Sequence, residues 1–206
     1  MPKVSDEYKE RKRQSVLESA LKCFGEKGYH LTTMDDIVAY SKMSKGLIYN
    51  YFKSKEELYL SLMDERSNRA LDDLQKRFKQ IPEAKDKLRE LFRIYREAVL
   101  AEEWRSFIRV HLEFWLYSSR QEQLRELMNN RYKHQFRDFL SEIIEEGKKA
   151  GEFKSDVQVE FVAGLFWAFI DGICLHYSVL WEDYAYIEHF KETEEMVMNY
   201  ILARSH

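Results

Sequence analysis

Residues 32–58, TTMDDIVAYSKMSKGLIYNYFKSKEEL, constrain the fold more than any other stretch of the chain. Three helix-start signals fall between residues 33 and 54. Thr33 followed by Asp36 is a capping-box pattern, with Asp in place of the usual Glu or Gln. Ser44 is a good N-cap for a helix that opens at Lys45. Ser54 followed by Glu57 is a full capping box for the next helix. Starts this close leave room only for helices of about two turns, joined at Lys42-Met43 by a very short connection. Ile37, Val38, Met43, Ile48 and Phe52 form a miniature core. Ile48 and Phe52 are four apart and share one helix face. Two short helices at a tight turn, the second carrying Lys45, Tyr49, Asn50 and Tyr51, have the layout of a helix-turn-helix reader of double-stranded DNA.

Seven Gly and two Pro in 206 residues supply little turn material for a sheet protein, and apolar residues recur at helical spacing. The chain therefore reads as all-α. No apolar run is taken to reach membrane-spanning length, and MPKVSDEYKERKR is not a signal peptide, so a soluble cytoplasmic protein is expected. Cys23 and Cys174 lie in apolar helical contexts and read as buried thiols, not a disulfide or metal pair.

The net charge of −3 argues against a nucleic-acid partner until it is divided. Residues 1–60 hold 11 Lys/Arg and 9 Asp/Glu, and residues 61–206 hold 22 and 27. A mildly basic amino-terminal domain (1–60) precedes an acidic body (61–206), which keeps the body off phosphates. Lys9, Arg11, Lys12 and Arg13 open the first helix, either as a solvated face or as a phosphate-contacting arm.

The first helix is expected from Ser5 to Lys27, with Val16, Leu17, Ala20, Leu21 and Phe24 as its stripe and Gly28 just past its end. A long helix follows from Lys55 to Lys79 and belongs to both parts. Five more are expected near 84–101, 103–118, 121–147, 156–181 and 186–204. Gly147 and Gly151 bracket a loop, and Ser155 with Gln158 caps the helix after it.

That helix is apolar nearly all round, with Glu160, Asp171, His176 and Ser178 as the main exceptions. A helix of this kind must be covered on every side. Gly164, Ala168 and Gly172 form a small-residue stripe at i, i+4 and i+8. Each Gly costs roughly 1 kcal/mol of helix propensity, so the stripe wants a packing reason. Together with Val197, Tyr200 and Ile201 of the last helix, it suggests a homodimer interface; the alternative is the central helix of a monomer core. All four tryptophans lie between 104 and 181. Trp104, Phe107, His111, Phe114, Trp115, Trp167, Asp171 and His176 make a candidate effector pocket of aromatic walls with a few polar groups, or equally a packed core.

ALKCFGEKGY, TTMDDIV and SKGLIYNYFKSKEEL resemble the amino-terminal region of the TetR (tetracycline-repressor-like) transcriptional regulators, specifically over residues 11–62. Beyond that the resemblance rests on Asp171-Gly172-Ile173. It implies an N-terminal three-helix helix-turn-helix domain, a C-terminal helical ligand-binding and dimerisation domain, a DNA operator, a small-molecule effector of unknown identity, and no cofactor. It assigns phosphate contacts to Thr33, Ser44, Tyr49, Tyr51 and Lys55. Lys45, Gly46, Leu47 and Asn50 sit early on the recognition helix, where they reach base edges. Lys42 departs from the family's turn Gly, Leu47 from a small or hydroxylated residue, and Tyr51 from a frequent His.

Two rival readings stand beside this one. An enzyme would need a catalytic constellation, and HExxH, a phosphate-cradling Gly loop and a Cys-His pair at ligand spacing are all missing; His111 and Glu113 face different sides of a helix. A regulator governed by a protein partner would have a filled body core and no small-molecule pocket.

Overall fold

The structure is a computed structural model that describes residues 5–98 and 102–203. Regular structure among them is helical throughout, apart from an isolated antiparallel bridge between Phe153 and Leu202. Two compact units result, Met1–Gln75 and Lys76–His206.

The amino-terminal unit holds α1 (Asp6–Lys27), α2 (Met34–Ser41), α3 (Lys45–Tyr51) and most of α4 (Lys55–Phe78). Ser5 caps α1 by accepting from the Tyr8 amide, and Gly28, at φ 79°, ends it. Thr32 is buried, and its hydroxyl donates to the Gly28 carbonyl at 2.7 Å, closing the α1–α2 connection. The core gathers Val16, Leu17, Ala20 and Phe24 of α1, Ile37 of α2, Ile48 of α3, and Leu58, Tyr59 and Leu62 of α4. Phe24, Tyr29 and Tyr59 meet ring to ring, with centroids 5.3–5.8 Å apart, a geometry that adds to plain area burial. Of the expected miniature core, Ile37, Ile48 and Phe52 are buried, and Val38 and Met43 are half-buried. Arg13 bonds Glu65 of α4 and lies over the Phe52 ring, while Lys9 pairs with Asp6. Lys12 lies over the Tyr8 ring, and Arg11 is exposed.

The carboxyl-terminal unit holds α5 (Ala84–Glu97), α6 (Glu102–Ser118), α7 (Glu122–Arg131), α8 (Asp138–Lys149), α9 (Val159–Leu180) and α10 (Tyr186–Ile201). The expected tail of α5 at 99–101 and of α10 at 204 lies outside the described residues. Where one helix over 121–147 was expected, a π-helical turn, Tyr132–Arg137, separates α7 from α8, and the Asp138 amide reaches back five residues to the Lys133 carbonyl. The wider turn lets both Tyr132 and Phe136 meet α9. The Phe136 ring lies 5.1 Å from Trp167, and the Tyr132 hydroxyl lies 3.6 Å from where a Gly164 side chain would begin.

Gly147 lies inside α8, not in a loop; its missing side chain is filled by the buried Phe153 ring, 2.3 Å from an ideal Cβ. Gly151 ends α8 at φ 75°. The expected Ser155/Gln158 cap does not form. Val157 turns inward, its amide bonding the Lys154 carbonyl, and α9 begins two residues after it with no side-chain cap. Glu152 instead caps α5 across the unit, accepting from the Ala84 and Lys85 amides at 3.0 and 2.9 Å.

Val159–Asp183 contains an 18-residue window of mean hydropathy 1.5, and by length and composition alone it is long and apolar enough to cross a membrane. Within the unit the helix packs against α6, α8, α10 and the π turn, as a core helix does.

Two stability predictions follow from the glycine and turn geometry. Gly147→Ala is expected to cost about 1–3 kcal/mol by overpacking against Phe153, read as a lower urea midpoint. Lys42 sits in the left-handed region at φ 57°, so Lys42→Gly is expected to raise the midpoint, by up to about 1 kcal/mol.

Candidate functional site

The recognition element is built from its caps outward. Thr33 and Asp36 form the reciprocal capping box, Thr33 Oγ1 accepting from the Asp36 amide at 3.1 Å and Asp36 from the Thr33 amide at 2.9 Å. Lys27, 2.5 Å away, and then Thr33 hold the Asp36 carboxyl far below the usual range. Ser44 Oγ accepts from the Leu47 amide at 3.3 Å, starting α3. The third cap differs in detail: Ser54 Oγ accepts from the Glu57 amide at 3.1 Å, but the Glu57 carboxylate takes the Lys53 amide, not that of Ser54. Lys42 supplies the left-handed residue after α2, so the turn forms without the family's glycine.

Burial of Ile48 turns the opposite side of α3 to solvent. Ser44, Lys45, Gly46 and Asn50 are exposed, and Leu47, Tyr49 and Tyr51 are half-buried. An ideal Cβ on Gly46 would meet no atom within 4 Å, so the backbone is open to approach there. Lys45 is already engaged: its ammonium lies 2.7 Å from Asp35 of α2, which raises its pKa, and 5.7 Å from the Tyr49 ring centroid. The sequence reading missed this Asp35 contact, which depends on the angle between α2 and α3 and has no signal in spacing.

Lys55 departs further from expectation. Its ammonium donates to the Tyr29 carbonyl at 2.8 Å and the His30 carbonyl at 3.3 Å, and sits 4.4 Å from the Tyr29 ring centroid. Burial pulls its pKa down. Two of its three donors thus hold the connection between α1 and α2.

In the carboxyl-terminal unit, α6 carries a ladder of rings. Trp104, Phe107, His111 and Trp115 follow one another at 5.7, 6.2 and 5.8 Å. Tyr95 of α5 joins Trp104 at 6.4 Å to Trp167 of α9 at 5.9 Å. Tyr95, His111 and Asp171 are half-buried. Burial pulls His111 down to about 4 and pushes Asp171 up to about 7. His111 Nδ1 and Trp167 Nε1 are buried without a hydrogen-bond partner. Two expected pocket residues lie elsewhere: Phe114 is wholly buried core, and His176 is exposed, stacked on Tyr184 at 5.6 Å.

The candidate dimer residues divide in the same way. Val197 and Ile201 are buried inside the unit's own core. Ala168 and Tyr200 are exposed, and Gly164 and Gly172 are half-buried. Phe161, Leu175, Val179 and Met196 are further exposed apolar side chains of α9 and α10, a feature the one-residue resolution of helical periodicity could not sort from the core face.

Comparison with known proteins agrees with this geometry. The family model of bacterial regulatory proteins of the tetR family matches residues 16–62, and that of the tetracyclin repressor-like C-terminal domain matches residues 95–188. The uncharacterized HTH-type transcriptional regulator YfiR of Bacillus subtilis is 27% identical over 98% of this chain and 97% of its own. A putative transcriptional regulator from Saccharomonospora viridis, solved in complex with choline, superimposes with a TM-score of 0.78 at 24% identity, covering 93% of this chain and 98% of that one. FadR from Bacillus subtilis, solved with stearoyl-CoA, gives 0.73 at 22% identity over 91% and 98%. With its reader, its body and both family models in agreement, the chain belongs to the tetR family of bacterial regulatory proteins and is a DNA-binding transcriptional regulator, not an enzyme.

Proposed function

We propose that this regulator is a repressor that binds its operator as a homodimer in the cytoplasm and is released by a small molecule held in the carboxyl-terminal unit. The observation that carries the reading is the pair of buried ring nitrogens without a hydrogen-bond partner, His111 Nδ1 on the α6 ring ladder and Trp167 Nε1 on α9. A body governed only by a protein partner would have a filled core with such atoms paired. That relatives of this fold were solved with choline and with stearoyl-CoA supports a ligand of some kind in such a body.

On DNA, Thr33, Ser44, Tyr49 and Tyr51 contact phosphate, and Lys45, Gly46, Leu47 and Asn50 face base edges. Dimerisation uses the exposed α9–α10 surface of Phe161, Ala168, Val179, Met196 and Tyr200. Operator half-sites lie about 34–36 Å apart, one turn of duplex, and the dimer must hold its recognition helices at that spacing. α4 runs from Lys55 at the reader past the unit boundary at Gln75. A ligand that favours one packing of the body shifts operator affinity only by its difference in affinity for the two states.

The test is selection of genomic fragments bound by the full-length protein, followed by sequencing, and then release of the selected DNA by candidate compounds. Failure to enrich a two-fold-symmetric site would overturn the reading. On that operator Lys45→Ala is expected to lower specific affinity about ten- to a hundredfold. Asp35→Asn, which frees the Lys45 ammonium, is expected to raise affinity for random DNA a few-fold, measured by fluorescence anisotropy. Lys55→Met is expected to lower the melting temperature, losing about 1 kcal/mol of hydrogen bonding, with an unchanged slope of log K against log salt. A slope smaller by about one unit would instead assign Lys55 to a phosphate.

A further inference from the structure

Two adjacent carboxylates open α2, and they are used differently. Asp36 closes the capping box with Thr33 and pairs with Lys27. Asp35 reaches across to α3, where its Oδ1 lies 2.7 Å from the Lys45 ammonium. Both side chains of this second pair are more than half exposed, 71% for Asp35 and 60% for Lys45. An ion pair this open contributes little to stability. On a surface that meets duplex DNA, a carboxylate is also repelled by the phosphates. Its place there calls for a use in the complex.

The second helix of a helix-turn-helix meets base edges with its amino-terminal residues, and Lys45 is the first residue of α3. A carboxylate 2.7 Å from its ammonium is carried to the same base pair. The ammonium is held from two sides, by Asp35 and by the Tyr49 ring, whose centroid is 5.7 Å away. Of its three donors, one goes to Asp35 and two are left. Gly46, the next residue, has open space where a side chain would begin, so the backbone can come close to the groove.

The pair therefore presents two donors beside an acceptor. In the major groove a G·C pair shows guanine N7 and O6 as acceptors and then cytosine N4 as a donor, in that order. O6 and N4 are Watson–Crick partners, about 2.9 Å apart, which is close to the 2.7 Å between ammonium and carboxylate. An A·T pair alternates acceptor, donor and acceptor, so only one lysine donor finds a place beside the carboxylate.

We propose that Asp35 is a specificity-determining residue: with Lys45 it forms a unit that reads one G·C pair in each operator half-site, Lys45 donating to guanine N7 and O6 and Asp35 accepting from cytosine N4. This rests on the placing of Lys45 at a base edge above. It adds a reading residue outside the recognition helix and names the base pair. Asp35 also keeps the lysine from phosphates, so its loss lowers discrimination and raises indiscriminate binding together.

The full-length parent, Asp35→Ala, Lys45→Ala and the double variant are each used to select from a pool of random duplexes. Affinities for the parent's site and its single-pair changes are then measured by fluorescence anisotropy at one salt concentration. The parent is expected to select a G·C pair in each half-site. With Asp35→Ala, preference for that pair over the best alternative is expected to fall about tenfold, preferences elsewhere to stay within about twofold, and affinity for random duplex to rise. Lys45→Ala is expected to lose the same pair, and the double variant to lose no more than Lys45→Ala, as members of one unit do. Placing 7-deazaguanine, which lacks N7, in that pair is expected to weaken the parent several-fold and leave Lys45→Ala unchanged. Asp35→Ser, which suits the start of a helix, is the second arm should Asp35→Ala fail to fold. A preference lost with Lys45→Ala that survives Asp35→Ala would overturn the proposal and leave Lys45 at its base edge. An equal loss of affinity for every sequence on Asp35→Ala, or a shared pair that is A·T, would overturn it as well. No change of preference with either variant, or no selected site, would overturn both assignments.

Discussion

A helix of seven residues does not persist in water by itself, because nucleation consumes most of what so few hydrogen bonds return. α3 exists because Ile48 and, at its end, Phe52 are buried against the rest of the amino-terminal unit. That burial decides which side of α3 faces outward, and so which residues can meet a base. The cap at Ser44 sets where the helix starts, and the Lys42 turn sets its angle to α2. The Phe24–Tyr29–Tyr59 cluster and the Arg13–Glu65 contact provide the support on which α3 rests. Loosening any of these would blur the reader before it altered a single contacting side chain.

On the function proposed above, the carboxyl-terminal unit meets the opposite demand: a reader must be rigid, whereas a sensor must accommodate a ligand. The π turn interrupts regular packing there, and such turns are frequent at functional sites. It brings Tyr132 and Phe136 to α9 and leaves Gln135 Oε1 without a donor. His111 and Trp167 add buried polar atoms that a core selected only for stability would have avoided or paired.

What could be read in the sequence was whatever is local. The caps at Thr33 and Ser44, the core roles of Ile48 and Phe52, and the order of the helices follow from neighbours a few positions apart. Errors arose where distant parts decide. Ser155 and Gln158 have the right spacing for a cap, but burial of Val157 overrides it. Lys55 has the position of a phosphate contact, but the Tyr29 and His30 carbonyls lie within its reach. Val197 and Tyr200 are close in sequence on one helix, yet one is core and the other surface. A hydrophobic pattern fixes a helix face only to within the width of one residue. The Lys45–Asp35 pair and the π turn leave no mark on periodicity at all.

The turn between α8 and α9 ties together elements far apart in the chain. Glu152 caps the start of α5, its carbonyl accepts from Ala203, and the Lys154 amide and ammonium take the carbonyls of Ile201 and Tyr200. The start of one helix and the end of another are thus fastened by the same few residues. Opening one should release the other, so hydrogen exchange ought to find α5's first turn and α10's last turn sharing a single protection energy. A change made at one of these sites for convenience, such as shortening the chain before Leu202, would then be felt at Ala84, more than a hundred residues earlier.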